Sequence, residues 1–111
     1  MPPSTEDRFA DILDFVAEIE DIMKDVDYET FSKERRIRHL VERYLEMCCE
    51  AALKLPAEVK QKAPNVSWHE MNGFANILRH AYHTTRINLL WDIIHDHLPP
   101  LKAFVESQIR E

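Results

Sequence analysis

The chain reads as an all-α protein, an antiparallel four-helix up-and-down bundle with one short extra helical turn. Three observations lead there. Of its 111 residues only one is glycine, Gly73, and the prolines sit at Pro2, Pro3, Pro56, Pro64, Pro99 and Pro100, so the long intervals between them carry few breakers. Within those intervals apolar residues recur every three or four positions, the spacing of a helix with one buried face. No stretch alternates polar and apolar residues in the manner of a half-buried strand, and there is no internal repeat or low-complexity tract. The length predicts one small domain over 1–111, whose modest core leaves apolar surface that a second copy or a partner would help to cover.

The elements follow from the punctuation. Ser4 before Thr5, Glu6 and Asp7 resembles an acidic N-terminal cap, and Phe9, Ile12, Leu13, Val16, Ile19 and Met23 then give a helix from about Thr5 to Lys24. Its other face carries Asp7, Asp11, Asp14, Glu18, Asp21 and Asp25, either a solvated surface or one that selects partners. After an acidic turn around Asp25 to Thr30, a longer helix is marked by Ile37, Leu40, Val41, Tyr44, Leu45, Cys48, Ala52 and Leu55, and Pro56 ends it. Ala57 to Lys62 makes the short extra turn. The run Asn65, Val66, Ser67 then offers a cap for a third long helix starting at Trp68. Gly73 inside that helix costs about 1 kcal/mol against alanine, which predicts close approach of another backbone, within the fold or between subunits. Thr84 or Thr85 can cap a last helix with Ile87, Leu90, Trp91, Ile94 and Leu98 buried, kinked or restarted at Pro99 and Pro100 before Leu101, Phe104 and Val105.

Composition excludes several functions. A formal charge of -6 argues against a general nucleic-acid coat, so no DNA binding is expected and any RNA contact must be local. No apolar run approaches the roughly 20 residues of a membrane span, and MPPSTEDRF has neither a basic start nor a hydrophobic signal core, so a cytoplasmic protein without a membrane role is expected. Cys48 and Cys49 are adjacent on a helix, where their side chains diverge too far for a bridge to each other, and they read as core thiols. Lys33, Arg35, Arg36, Arg38 and His39 form the one basic cluster, placed either to touch a phosphate backbone or to pair with the acidic first helix.

The segment GFANILRHAYH, residues 73 to 83, carries the chemistry. Asn72, Asn76, Arg79, His80 and His83 follow at steps of three or four and form one polar stripe, while Phe74, Ile77, Leu78 and Ala81 supply an apolar side. Burying such groups unpaired would cost about 1–3 kcal/mol each, so they face either water or a site. Arg79 and His80 are suited to acid-base work on RNA: the imidazole can move a proton to or from a ribose hydroxyl, and the guanidinium can stabilise charge on a phosphate. A helical Arg-His pair is also common as surface decoration or as an intersubunit contact. The histidine spacings are poor for a metal site, there is no glycine-rich phosphate loop and no activated nucleophile signature, so no metal and no cofactor are expected.

The stretches DYETFSKERRIRHLVERYLEMCCEAALKLP, PNVSW, GFANILRHAYH and LLWDIIHDHLPPLKAF together resemble the HEPN (higher eukaryotes and prokaryotes nucleotide-binding) superfamily, and within it the HepT toxins of toxin–antitoxin pairs. The tryptophan, His-x-Tyr and Asp-x-Leu-Pro landmarks fall in the family's order across nearly the whole chain. The family signature is an arginine, four residues, then histidine, one residue and tyrosine. His80 and Tyr82 match its end, Asn76 matches the polar residue after the arginine, and Ala75 stands where the arginine belongs.

The resemblance implies a homodimer in which signature helices from two protomers line one cleft, and a metal-independent endoribonuclease acting on RNA there. In those terms His80, Arg79 and Asn76 are the catalytic set, with Arg79 one turn beyond Ala75 as a replacement for the missing guanidinium. Arg35, Arg36, Arg38 and His83 are the RNA-positioning candidates. It also implies a minimal nucleotidyltransferase antitoxin that adds AMP to Tyr82, blocking the cleft with bulk and negative charge. The alternative is a catalytically degenerate HEPN helical binding module that only pairs with a nucleotidyltransferase.

Overall fold

The structure is a computed structural model that describes residues 4–79 and 86–109. Its elements are helices throughout: α1 (Thr5–Met23), α2 (Tyr28–Lys33), α3 (Arg35–Leu53), α4 (Ala57–Lys60), α5 (Trp68–Arg79), α6 (Ile87–Asp92), a wide π turn (Ile93–His97) and α7 (Leu98–Ile109). The all-α bundle expected from the spacing is what forms, with α1, α3, α5 and the composite α6–α7 as its four rods. No helix of the described residues is long and apolar enough to cross a membrane.

The first helix starts where the cap residues require. Ser4 Oγ accepts from the Asp7 N–H at 3.1 Å, and the Asp7 carboxylate accepts the Ser4 N–H at 3.1 Å, so two otherwise unpaired amides at the helix start are satisfied reciprocally. Phe9, Ile12, Val16, Ile19 and Met23 are buried along one side. The helix ends at Lys24, and Asp25 takes a positive φ of 62°, a left-handed conformation that a short acidic side chain tolerates.

The region 28–33 departs from the expected plain turn: it is a separate short helix. Asp27 caps it by accepting the Thr30 N–H at 2.8 Å, and that bond holds the Asp27 carboxyl below its usual range. At Glu34 the backbone breaks (φ -93°, ψ 89°) and α3 begins one residue later. Arg38 secures the corner. Its guanidinium is buried and donates to the Phe31 and Ser32 carbonyls, both at 2.7 Å, which satisfies carbonyls that the end of α2 leaves without helical partners.

Helix α3 is the central rod, packed against both α1 and α5, while α7 lies along α1. Its buried row ends in small residues, Cys48, Cys49, Ala51 and Ala52. Both cysteines are free, as expected of core thiols, and burial raises both; Cys49 is pushed up to about 12, so neither is a thiolate near neutral pH. The remaining gap, between α5 and the last rod, is closed by aromatic edges. Trp68 meets Phe104 at 6.0 Å, Phe74 meets His97 at 5.0 Å, and Phe104 also meets Phe9 of α1 at 6.5 Å. Residue numbers rise along α5 as they fall along α6–α7 in these pairs, so the two rods run antiparallel.

Of the two expectations for the double proline, a kink or a restart, the last rod takes the restart, after a widened turn. Pro99 and Pro100 lack an N–H, and their rings crowd the carbonyls four residues back, so an unbroken α-turn is not available there. The backbone widens instead: the Leu98 N–H donates to the Ile93 carbonyl, five residues earlier, and α7 restarts with both prolines in its first turn. Thr84 and Thr85, the expected caps, lie outside the described residues; α6 starts after Arg86, whose side chain makes no capping bond.

Arg38→Met is expected to lower the unfolding free energy by about 2–4 kcal/mol in a urea titration, because a buried and a part-buried carbonyl lose a charged donor. Lys33→Ala, which removes a pair with Glu29 in which both side chains are largely exposed, is expected to change it by less than about 0.5 kcal/mol.

Candidate functional site on helix α5

Helix α5 is tied down at its first residue. Trp68 Nε1 donates to the Lys60 and Ala63 carbonyls, both at 3.1 Å, so the loop after α4 and the start of α5 hold one another. The Met71 N–H donates to the Ser67 carbonyl at 3.0 Å, continuing the turn. From there the burial alternates with helical period: Met71, Phe74, Ala75 and Leu78 are buried, and His69, Asn72, Gly73, Asn76, Ile77 and Arg79 are exposed. The polar stripe therefore faces outward over its described part, with Asn72, Asn76 and Arg79 on one surface.

One expectation about this helix narrows, and the packing of Ala75 becomes clear. Among the described residues Gly73 marks no crossing, since a Cβ built there would meet nothing within 4 Å, which leaves the contact between subunits open. Ala75 is fully buried, with 0% exposure, so the position that resembles the family's arginine lies in the core. Arg79, four residues further on, shares that side of the helix at its rim and pairs with Glu50 of α3. The pair is only partly sheltered, the arginine side chain being 46% exposed and the glutamate 27%. The exposed arginine end limits the pair's own contribution to about 0–1 kcal/mol, although the Glu50 oxygen it meets, Oε1, is shut off from solvent.

Glu50 closes a row of three glutamates, Glu42, Glu46 and Glu50, spaced four apart on α3. Burial pushes the Glu42 carboxyl up, Glu46 takes Arg43 at 3.2 Å, and Glu50 takes Arg79. Neither Glu50 nor the pairing was visible from local spacing, because 29 positions separate its members. The same is true of a second contact on the opposite flank of α5: Glu70 lies 3.5 Å from His97 Nε2, and His97 also lies against Phe74. His97 reaches that flank from the π turn.

The basic cluster is divided by the fold. Arg38 is turned inward onto the α2 carbonyls, a structural employment that removes it from the exposed set. Lys33 pairs with Glu29 at 2.8 Å. Arg35 and Arg36 are exposed in the first turn of α3, and among the described residues neither pairs with a carboxylate, of the acidic first helix or otherwise. Fifteen helical steps lead from Arg35 to Glu50, so the structure holds Arg79 about 20 Å along α3 from Arg35 and Arg36. His80, Tyr82 and His83 lie outside the described residues.

Charge is unevenly placed. Helix α1 holds Glu6, Asp7, Asp11, Asp14, Glu18, Glu20 and Asp21 against Arg8 alone, so its formal charge equals the whole chain's -6 and the rest of the molecule is neutral on balance. Glu20 is engaged by Lys102 of α7 at 2.9 Å. Among the described residues no three His, Cys, Asp or Glu side chains gather as a metal-ligand set.

Comparison with known proteins agrees with this architecture. The family model described as ribonuclease HepT-like matches residues 12–108. A Methanocaldococcus jannaschii protein named "Putative RNase MJ1380" is 38% identical over 96 residues, covering 86% of this chain and 88% of its own. A Thermococcus cleftensis protein named "Probable ribonuclease HepT" is 29% identical over 107 residues, covering 96% of this chain and 97% of its own. No solved structure gives a significant match. The match takes in α3, α5 and the composite last rod together, including the segment that bears Asn76, Arg79 and His80, and on that extent the chain belongs to the ribonuclease HepT-like family.

Proposed function

We propose that this chain is the toxin of a toxin–antitoxin pair, a homodimeric, metal-independent endoribonuclease neutralised when a minimal nucleotidyltransferase adds AMP to Tyr82. The observation that carries the reading is family membership over residues 12–108, joined to an exposed stripe of amides and a guanidinium that leads into His80. In the reaction a base takes the proton of a ribose 2'-hydroxyl, and that oxygen attacks the adjacent phosphorus. The bond to the 5'-oxygen breaks, the 5'-oxygen leaves with a proton, and a 2',3'-cyclic phosphate remains. His80 is the group suited to these proton transfers. In a dimer whose α5 helices line one cleft, two copies of it are available.

Arg79 and Asn76 hold the scissile phosphate. Arg79 must turn from Glu50 to do so, exchanging its contact with Glu50 Oε1, an oxygen shut off from solvent, for a hydrogen bond to a charged phosphate worth about 1.5–3 kcal/mol. Arg35, Arg36 and His83 guide the strand; Arg38 is already committed to the Phe31 and Ser32 carbonyls. AMP on Tyr82 would bring a competing negative charge to the same surface.

One observation favours a second reading, a binding module that has lost catalysis: Ala75, at the position of the family's arginine, is fully buried. The two readings separate in a cleavage assay. The pure unmodified protein is expected to cleave single-stranded RNA equally well with and without EDTA, His80→Ala to abolish cleavage, and Arg79→Ala to lower kcat/KM by about 10²- to 10³-fold, the usual effect of losing one donor to developing charge. Intact RNA after incubation with the unmodified parent would reject the enzyme and leave the binding module.

Ala75→Arg tests the replacement directly. Forcing a long side chain into a site with no exposure is expected to lower stability by about 1–3 kcal/mol without conferring extra growth toxicity. A stable variant with increased toxicity would show that Arg79 does not do the work of the family's arginine.

Gly73→Ala probes the dimer. On a solvent-facing helix it is expected to raise stability by about 0.5–1 kcal/mol, yet to weaken dimerisation in sedimentation experiments if two α5 faces meet at this glycine. An unchanged dimer constant would move the contact elsewhere.

A further inference from the structure

At the corner where α2, α3 and α6 meet, two exposed rings, Tyr28 and His95, flank the half-buried Trp91, which the buried Phe31 backs. Tyr28, the first residue of α2, is 45% exposed. Its ring meets Trp91 of α6 edge to face, at 5.3 Å and 86°. Trp91 is braced from inside by Phe31, which has no exposure, at 5.6 Å. On another side His95 stacks on Trp91 at 4.0 Å and 31°. The His95 ring is fixed by a second contact: Nδ1 lies 2.8 Å from the Trp91 carbonyl, which can only accept, so Nδ1 carries the proton. His95 itself is exposed. This aromatic group joins α2 to the last rod rather than lying within one helix, and its outer rings need no further ordering before a flat partner arrives.

The charge around the corner admits RNA without drawing it strongly. Arg35, Arg36 and Arg86 are exposed there, and two nearby carboxylates are engaged, Asp27 as the α2 cap and Glu29 by Lys33. Asp92 and Asp96 are also exposed on the same rod, so phosphate attraction is slight. What the corner does offer is ring faces, and every nucleobase has a face that stacks on them irrespective of sequence.

We infer that Tyr28, Trp91 and His95 form a stacking ledge for an unpaired base of the RNA substrate, several nucleotides from the phosphate held at Arg79. The inference rests on the RNA-cleaving reading above. Arg35, beside the ledge, and Glu50, which holds Arg79, are about 20 Å apart along α3, so a dinucleotide cannot bridge the two places and a longer single strand can. Seven steps of chain join Arg79 to Arg86 at the start of α6, which limits their separation to about 25 Å and keeps both places within reach of one short strand.

The test is fluorescence anisotropy with a labelled single-stranded RNA of about ten nucleotides, with His80→Ala as the parent so that the probe is not cut. Tyr28→Ala is expected to weaken binding about 5- to 150-fold, the range for loss of one stacked base, and Tyr28→Phe to stay within about twofold of the parent. A dinucleotide and a blunt RNA duplex, which offer no reaching unpaired base, are expected to bind both proteins alike. Should Tyr28→Ala unfold, His95→Ala removes an exposed ring of the same ledge and gives the same readout. Unchanged affinity in both alanine variants overturns the ledge and leaves the RNA reading standing. A parent that binds no RNA overturns both. A loss of affinity confined to a protein partner, with RNA binding intact, overturns the base assignment and makes the corner a protein contact.

Discussion

The small side chains along the C-terminal half of α3 are the constraint on which the rest of the bundle depends. Cys48, Cys49, Ala51 and Ala52 are all buried, and they leave room for neighbouring helices to approach closely. Ala75 of α5, which packs on α3, is equally small and equally buried. Protein interiors are packed densely enough that even one added methylene is felt, so a helix seated on such a surface has little freedom in which residues it turns inward. The two thiols add no chemistry of their own, since burial keeps both protonated near neutral pH.

That packing decides how α5 divides its residues. Once Met71, Phe74, Ala75 and Leu78 face the core, Asn72, Gly73 and Asn76 must face out, and Arg79 falls at the rim beside α3. The guanidinium that meets Glu50 is thus supplied from one turn beyond Ala75. Arg79 itself is half exposed, whereas the Glu50 oxygen it meets is shut off from solvent, so the contact holds Arg79 in place and its release leaves that oxygen in need of another partner. The distribution of charge works in the same direction. All of the chain's net negative charge resides on α1, so the exposed side of α5 does not carry the repulsion that the overall -6 suggests.

Legibility followed the range of the interactions. The bounds of α1 rest on a local capping box and a 3.6-residue repeat, and they were readable to within one residue. The start of α5 at Trp68 and the burial of Cys48 and Cys49 were equally plain. By contrast, the separate helix Tyr28–Lys33 depends on Arg38 reaching back seven residues to the Phe31 carbonyl, and the π turn depends on how two prolines are accommodated without losing the packing of Leu98 and Leu101. Gly73 was legible as an anomaly but not as an exposed one, because a glycine's spacing does not say what lies opposite it.

Taken by itself, the sequence determined the helical class and the polar stripe on α5, which rest on periodicity, and the family, which rests on landmarks spread over nearly the whole chain. Only the tertiary structure decided that Arg38 is an internal brace, that Ala75 lies in the core, that Arg79 leans on Glu50, and that Tyr28, Trp91 and His95 share one corner. The physical reason is the same in each case. A side chain's partner on another helix is set by which faces the packed rods turn toward one another, and no spacing along the chain records that choice.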